Sequence, residues 1–170
     1  MVYSQFIKKF SLPADFKAPK KLTFEDLIAH PLTNDDLEDD LAAVNSSIET
    51  IHETRGGSWP EGPLDKEIGF EDLAWHQREF RDGDSFAYAV YATDGAYIGC
   101  FYLYPLGVRT KLRETLLSYD GDASWWVTTE KYEEGYYQKL YIALEQWPVN
   151  DFPFEKIYYS NTEIPQGLKY

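Results

Sequence analysis

Cysteine, histidine and methionine are scarce in this chain of 170 residues, which has one Cys, three His and one Met. The lone Cys100 cannot form an intramolecular disulfide, which excludes a small secreted scaffold held by disulfides. His30, His52 and His76 are scattered and show no zinc-ligand spacing with Cys100, so no metal site is expected. Basic residues are also few: 16 Lys and Arg against 29 Asp and Glu give a net charge of −13. A field of that sign repels phosphate backbones and anionic lipid, so neither nucleic acid nor a membrane surface is an expected partner. A cationic small molecule or a basic protein surface suits it better. No apolar run approaches the roughly 20 residues of a membrane span. The opening MVYSQFIKKF lacks the apolar core and small-residue cleavage site of a signal peptide, so a soluble, cytoplasmic protein is expected. Nucleophile elbows, P-loops and dinucleotide fingerprints are absent too.

Aromatic residues, in contrast, are abundant: five Trp, 14 Tyr and 10 Phe make up 17% of the chain. That much apolar surface can offset backbone entropy, and the length suits one domain. Charge is uneven along it. Residues 1–21 carry Lys8, Lys9, Lys17, Lys20 and Lys21 against Asp15, a local +4, which leaves −13 − 4 = −17 on the remainder. Phe6, Phe10, Leu12 and Phe16 in the same segment predict a basic arm (1–21) that packs onto a single domain (22–170).

Leu22 to Leu32 reads as one strand. Thr33 caps a helix whose apolar face is Leu37, Leu41, Val44, Ile48 and Ile51. The loop Gly56 to Pro63 carries Trp59, and Asp65 caps a second helix running to about Arg81. Phe86–Tyr91 and Tyr97–Tyr104 form a hairpin about Asp94-Gly95. Residues 105–122 suit either a short helix or a loop over a cleft. A strand (Ala123–Val127), a third helix (Glu134–Trp147, stopped by Pro148) and a strand (Lys156–Ser160) follow. This order predicts an α+β (mixed α/β) fold: a mixed, mostly antiparallel central sheet flanked by three main helices.

The order of elements resembles the GNAT superfamily, the acyl-CoA N-acyltransferase fold. Leu27 to Thr33 followed by Asp36 is similar to its opening strand and helix start. Tyr97-Ile98-Gly99 falls on its hairpin strand, and Ser58-Trp59-Pro60 and Glu71 to His76 are similar to a bacterial subset. The resemblance implies acetyl transfer from acetyl-CoA to an amine on a small molecule or protein, and a possible homodimer. It assigns the cofactor to the strand and loop around Trp126, Val127 and Gly135. It assigns the acceptor cleft to Trp59, His76, Tyr102 and Trp125, with Glu49 or Glu53 as base. The family's loop reads Gln/Arg-x-x-Gly-x-Gly/Ala, whose backbone N–H groups hold pyrophosphate. Here Gly135 matches the central glycine, but Tyr132 and Tyr137 replace the Gln/Arg and the small residue, with Glu133 and Glu134 between. A bulky side chain and two carboxylates oppose an anionic cofactor. The family's general-acid tyrosine, carried after the last strand, has only Tyr170 as a distant counterpart, and its later hairpin strands have none. A second reading therefore stands beside the transferase: a non-catalytic protein that binds a ligand or partner through an aromatic cleft.

Residue chemistry leaves alternatives open. Glu49, His52 and Glu53 suit proton exchange near an amine, or a solvated helix face, because Ile48 and Ile51 claim the buried side. His76 beside Trp75 is either a cleft or a surface residue. Cys100 has no histidine partner and suits a buried small hydrophobe. Trp125 and Trp126 point to opposite sheet faces, one to the core and one to the cleft or an interface. Arg109, Lys111 and Arg113 form an anion site or a solvated loop.

Overall fold

Long alternating runs of large residues between Phe86 and Val127 supply the middle of one sheet. In the computed structural model, which describes residues 7–166, the strands are β1 (Leu22–Phe24), β2 (Leu27–Pro31), β3 (Phe86–Ala92), β4 (Tyr97–Tyr104), β5 (Gly121–Val127) and β6 (Ile157–Tyr159). They lie side by side in chain order, antiparallel except for the parallel pair β5 and β6. Alternation sends Tyr88, Phe101, Leu103 and Trp125 to one face and Ala89, Cys100, Tyr102 and Trp126 to the other. The first face is covered by α5 (Tyr136–Asn150) and the N-terminal segment. The second is covered by α1 (Leu37–Asn45), α2 (Ile48–Arg55) and α3 (Lys66–Asp82). The α+β class and the mixed, mostly antiparallel sheet agree with the sequence pattern.

Three expected elements are interrupted, each for a local reason. The strand expected over 22–32 folds into the β1–β2 hairpin at Glu25-Asp26, where Glu25 has φ 51°. Asp26 anchors that turn by accepting from the Tyr136 hydroxyl and, at 2.8 Å, from Lys139 Nζ. The first helix breaks at Ser46-Ser47. Ser46 Oγ donates to the Ala43 carbonyl (3.0 Å), and Ser47 Oγ accepts the Thr129 N–H (2.9 Å). Short hydroxyl side chains bonded in this way compete with the helical ladder. The third helix is preceded by a separate turn, α4 (Thr129–Glu133), and Pro148 lies inside α5 instead of stopping it. Proline lacks the N–H that would bond the Leu144 carbonyl four residues earlier. The Tyr159 hydroxyl donates to that carbonyl at 2.9 Å and replaces the missing bond. Residues 105–120 form a loop with one 3-10 turn (Glu114–Leu116), burying Leu116 and exposing Leu117.

The described part of the arm lies against the α5 face of the sheet. Phe10 stacks on Phe86 (5.6 Å between ring centres) and Phe16 packs on Phe152 (5.6 Å). Lys8 donates to the carbonyls of Leu117 (2.8 Å) and Tyr119 (2.5 Å). Among the described residues no arm lysine has a carboxylate within 4.0 Å, so aromatic packing holds the segment, not its opposite charge. Phe6 and Tyr170 lie outside the described residues. Among those residues no helix is long and apolar enough to cross a membrane.

Candidate functional site

Two concavities flank the C-terminal end of α2. The first is the gap between β5 and β6, where the family resemblance puts the cofactor. Pairing of these strands ends at Ala123 and Tyr159, with a last backbone bond from Ser160 N–H to the Ala123 carbonyl (3.0 Å). Beyond it the gap is closed by Asn161. Its side-chain oxygen accepts the Trp125 N–H (3.0 Å), while its amide nitrogen donates to the Trp125 carbonyl (2.9 Å) and to Tyr137 Oη (2.8 Å). Both amide protons and the amide oxygen are thereby engaged. Tyr137, only 1% exposed, stacks on Trp125 at 5.0 Å and donates its hydroxyl to the Glu163 carbonyl. Burial raises its pKa further above the ordinary phenol range, so the hydroxyl stays a donor. The following backbone crosses to α2, with Thr162 N–H bonded to the Arg55 carbonyl (3.4 Å) and Glu163 N–H to Thr54 (2.9 Å). Glu163 also accepts the Tyr132 hydroxyl at 2.7 Å.

This filled gap does not fit an acyl-CoA. Tyr137 occupies the position where the motif needs a small residue, and Asn161 takes the Trp125 groups that face the gap. Strand alternation sends Thr128 N–H to β4 and Trp125 N–H toward β6, so Val127 faces the gap and the backbone of Trp126 faces β4. Gly135 is left-handed (φ 90°) and opens α5 without a side-chain cap. Glu133 and Glu134 are exposed around it, Glu134 paired with Lys131 at 2.9 Å.

The second concavity is a cleft of about 410 Å³ between the end of α2, α3, β4 and the loop after it. Its lining is Arg55, Trp59, Asp72, Trp75, His76, Glu79, Tyr102, Tyr104, Val108 and Arg109. Arg55 packs its guanidinium over Tyr102 (4.5 Å) and Trp59 (5.9 Å). Tyr102 accepts the Trp126 indole N–H at 2.8 Å, which fixes its ring against the sheet. On α3, Asp72 and His76 stand one turn apart, 3.8 Å from carboxylate to imidazole. Burial lowers the pKa of His76, partly opposed by Asp72, and its Nδ1 is buried without a partner. Glu79 accepts the Ser85 hydroxyl at 3.0 Å.

Trp59, His76 and Tyr102 come together in this cleft. Trp125 is elsewhere: it is buried on the opposite face under α5, its indole N–H bonded to the Tyr137 carbonyl (3.2 Å). Trp126 is the tryptophan on the cleft side, 6.4 Å from Trp59 between ring centres. Glu49 and Glu53 lie on the exposed side of α2, and neither lines the cleft. His52 donates Nε2–H to the Pro60 carbonyl (2.6 Å), fastening the loop that presents Trp59. Of the three basic residues after β4, Arg109 turns inward while Lys111 and Arg113 stay exposed. Cys100 is fully buried against Asp40 and Tyr97. Arg55, Asp72, Tyr104 and Glu79 escaped sequence reasoning; only the spacing of Asp72 and His76, four residues apart on a helix, was a local signal.

No family model matches the chain, and no curated protein matches it by sequence. Solved structures do match. A GNAT-family acetyltransferase from Bacillus anthracis superposes with a TM-score of 0.57 at 12% identity, over 82% of this chain and 72% of that one. This chain has the GNAT fold. The ribosomal-protein α-N-acetyltransferase RimL in complex with coenzyme A gives 0.56 at 9% identity, covering 76% and 68% of the two chains. The spermidine/spermine N-acetyltransferase SpeG from Vibrio cholerae gives 0.51 at 16%, covering 79% and 67%. On the GNAT framework, β5, α4 and α5 stand where the resemblance puts the cofactor strand, loop and helix, and the 410 Å³ cleft lies on the other side of the α2 terminus.

Proposed function

We propose that this chain is a GNAT-fold protein that binds a small ligand in the cleft of Arg55, Trp59, His76 and Tyr102, its acyl-CoA groove being filled by its own residues. The observation that carries this reading is the Tyr137–Asn161 plug. The Tyr137 ring packs on Trp125 of β5 and its hydroxyl is hydrogen-bonded to Asn161 and Glu163 after β6, so moving it breaks these contacts together. Carboxylates add to the obstruction: Glu53, Glu133, Glu134 and Glu163 lie on or beside the loop that should face an anion. The cleft, in contrast, is a small-molecule volume with aromatic walls and a few convergent polar groups.

Acetyl transfer to an amine is the second reading. It is favoured by the fold, since the similar solved structures include N-acetyltransferases and one in complex with coenzyme A. The Val127 backbone facing the gap also favours it, with Glu49 or Glu53 as base on the acceptor side. Isothermal titration calorimetry with acetyl-CoA separates the two. The ligand-binding reading expects no saturable heat up to about 1 mM cofactor, whereas a Kd near 1 μM, about −8 kcal/mol, would restore the transferase.

A further inference from the structure

The cleft holds two cations without a carboxylate in ion-pair contact, although buried Asp122 attracts both at longer range. Among the described residues neither Arg55 nor Arg109 has a carboxylate within 4.0 Å, in a chain where acidic groups outnumber basic ones 29 to 16. Arg55 is only 7% exposed. Its Nε and Nη2 are held by Ser124 Oγ at 3.3 and 3.2 Å. Arg109 donates Nε–H to Ser160 Oγ (3.0 Å) and Nη2–H to the Arg55 carbonyl. Every one of these acceptors is neutral, so the contacts fix the direction of each guanidinium without cancelling its charge. A buried charge without a counter-charge is costly, and two held side by side more so. Burial, and then repulsion from Arg55, brings the Arg109 pKa down to about 10, still protonated at neutral pH.

Three acidic groups stand near the pair without touching it. Asp122 on β5 is fully buried, accepts Thr110 Oγ1 at 3.1 Å and attracts both guanidinium groups at longer range, Asp72 faces His76, and Glu79 accepts the Ser85 hydroxyl. Trp59, Trp75 and Tyr104 supply apolar wall around the same space, Trp75 being 59% exposed at its mouth.

We infer that the cleft takes a small ligand with an anionic oxygen group, carboxylate or phosphate, seated on Arg55 and Arg109, with its apolar body against Trp59, Trp75 and Tyr104. Guanidinium is the group suited to such oxygens, through paired N–H donors in one plane. This inference rests on the ligand-binding reading of the same cleft.

The test is calorimetry on the full chain with benzoate, phenyl phosphate and benzyl alcohol at constant ionic strength, on the wild type, Arg109→Gln and Arg55→Lys. Arg55→Lys keeps the buried charge while removing the planar donors, and circular dichroism verifies the fold of each variant. At least one anion is expected to bind about tenfold or more tighter than benzyl alcohol, and Arg109→Gln to lose about tenfold of that affinity, as one charged hydrogen bond provides. Which anion binds decides between carboxylate and phosphate. Equal binding of benzyl alcohol, unchanged anion affinity in a folded Arg109→Gln, or no anion binding at about 10 mM would each overturn the inference. Benzyl alcohol binding alone leaves a ligand cleft without the anion. Acetyl-CoA binding instead removes the filled-groove reading and leaves the anion result standing.

Discussion

Asp40 shows how a single side chain sets a pH dependence in this protein. It lies on the buried side of α1, accepts the Tyr97 hydroxyl at 2.7 Å, and has Cys100 Sγ at 3.5 Å. Burial raises its pKa to about 6, and the neighbouring Asp72 and Asp36 push in the same direction, against the hydrogen bonds from Tyr97 and Cys100. The folded state therefore holds this proton more tightly than the unfolded chain, whose value is near 3.8. Stability from this group is present below about pH 4 and is lost as pH rises to about 6. Asp40→Asn keeps an acceptor oxygen for Tyr97 and cannot ionise. We expect it to be more stable than the wild type at pH 7 by about 3 kcal/mol, on the scale of ~1.4 kcal/mol per pKa unit. Denaturant unfolding at pH 4, 5, 6 and 7 checks this: the two proteins should converge at low pH and separate as pH rises. A constant gap across the range would contradict it.

Helices and strands in this fold depend on side chains from distant segments. Pro148 is tolerated inside α5 because Tyr159 on β6 supplies the donor that its ring nitrogen cannot. Tyr159→Phe should cost about 1–3 kcal/mol by leaving the Leu144 carbonyl buried and unpaired. In a Pro148→Ala background the helix regains its N–H, and the same substitution should cost about 1 kcal/mol less. A double-mutant cycle measured by thermal unfolding reads that coupling, and additive effects would refute it. Such partners explain what was legible from the sequence. The hairpin of β3 and β4 and the Asp65-capped α3 carry their signals locally, in alternation, capping and spacing. The break at Ser46-Ser47 depends on Thr129, a residue 82 positions away, and the end of α5 depends on Tyr159. Periodicity read one helix through the first place, and the proline rule ended the helix too early at the second. The cleft was half legible for the same reason: Trp59, His76 and Tyr102 stood out by type, while Arg55 and Arg109 meet only through a contact spanning 54 residues.

At the scale of the whole molecule, Arg55 joins the two concavities. Its carbonyl accepts Thr162 N–H on the groove side and Arg109 on the cleft side, while its guanidinium enters the cleft. Closing the β5–β6 gap and positioning the cationic floor are thus parts of one hydrogen-bonded structure. The net charge of −13 is also distributed unevenly: carboxylates crowd the α1 start and the β5–α5 loop, while the cleft brings Arg55 and Arg109 together with Asp72 and Glu79 on its far wall. That distribution disfavours an anionic cofactor at the loop and favours an anionic group in the cleft. The central claim is that Tyr137 and Asn161 fill the groove, and a ¹H–¹⁵N NMR titration with acetyl-CoA tests it most directly. The account predicts no saturable shift of the Val127 and Tyr137 amides or of the Asn161 side-chain amide up to about 1 mM acetyl-CoA. Saturation of those three signals at micromolar acetyl-CoA would contradict it.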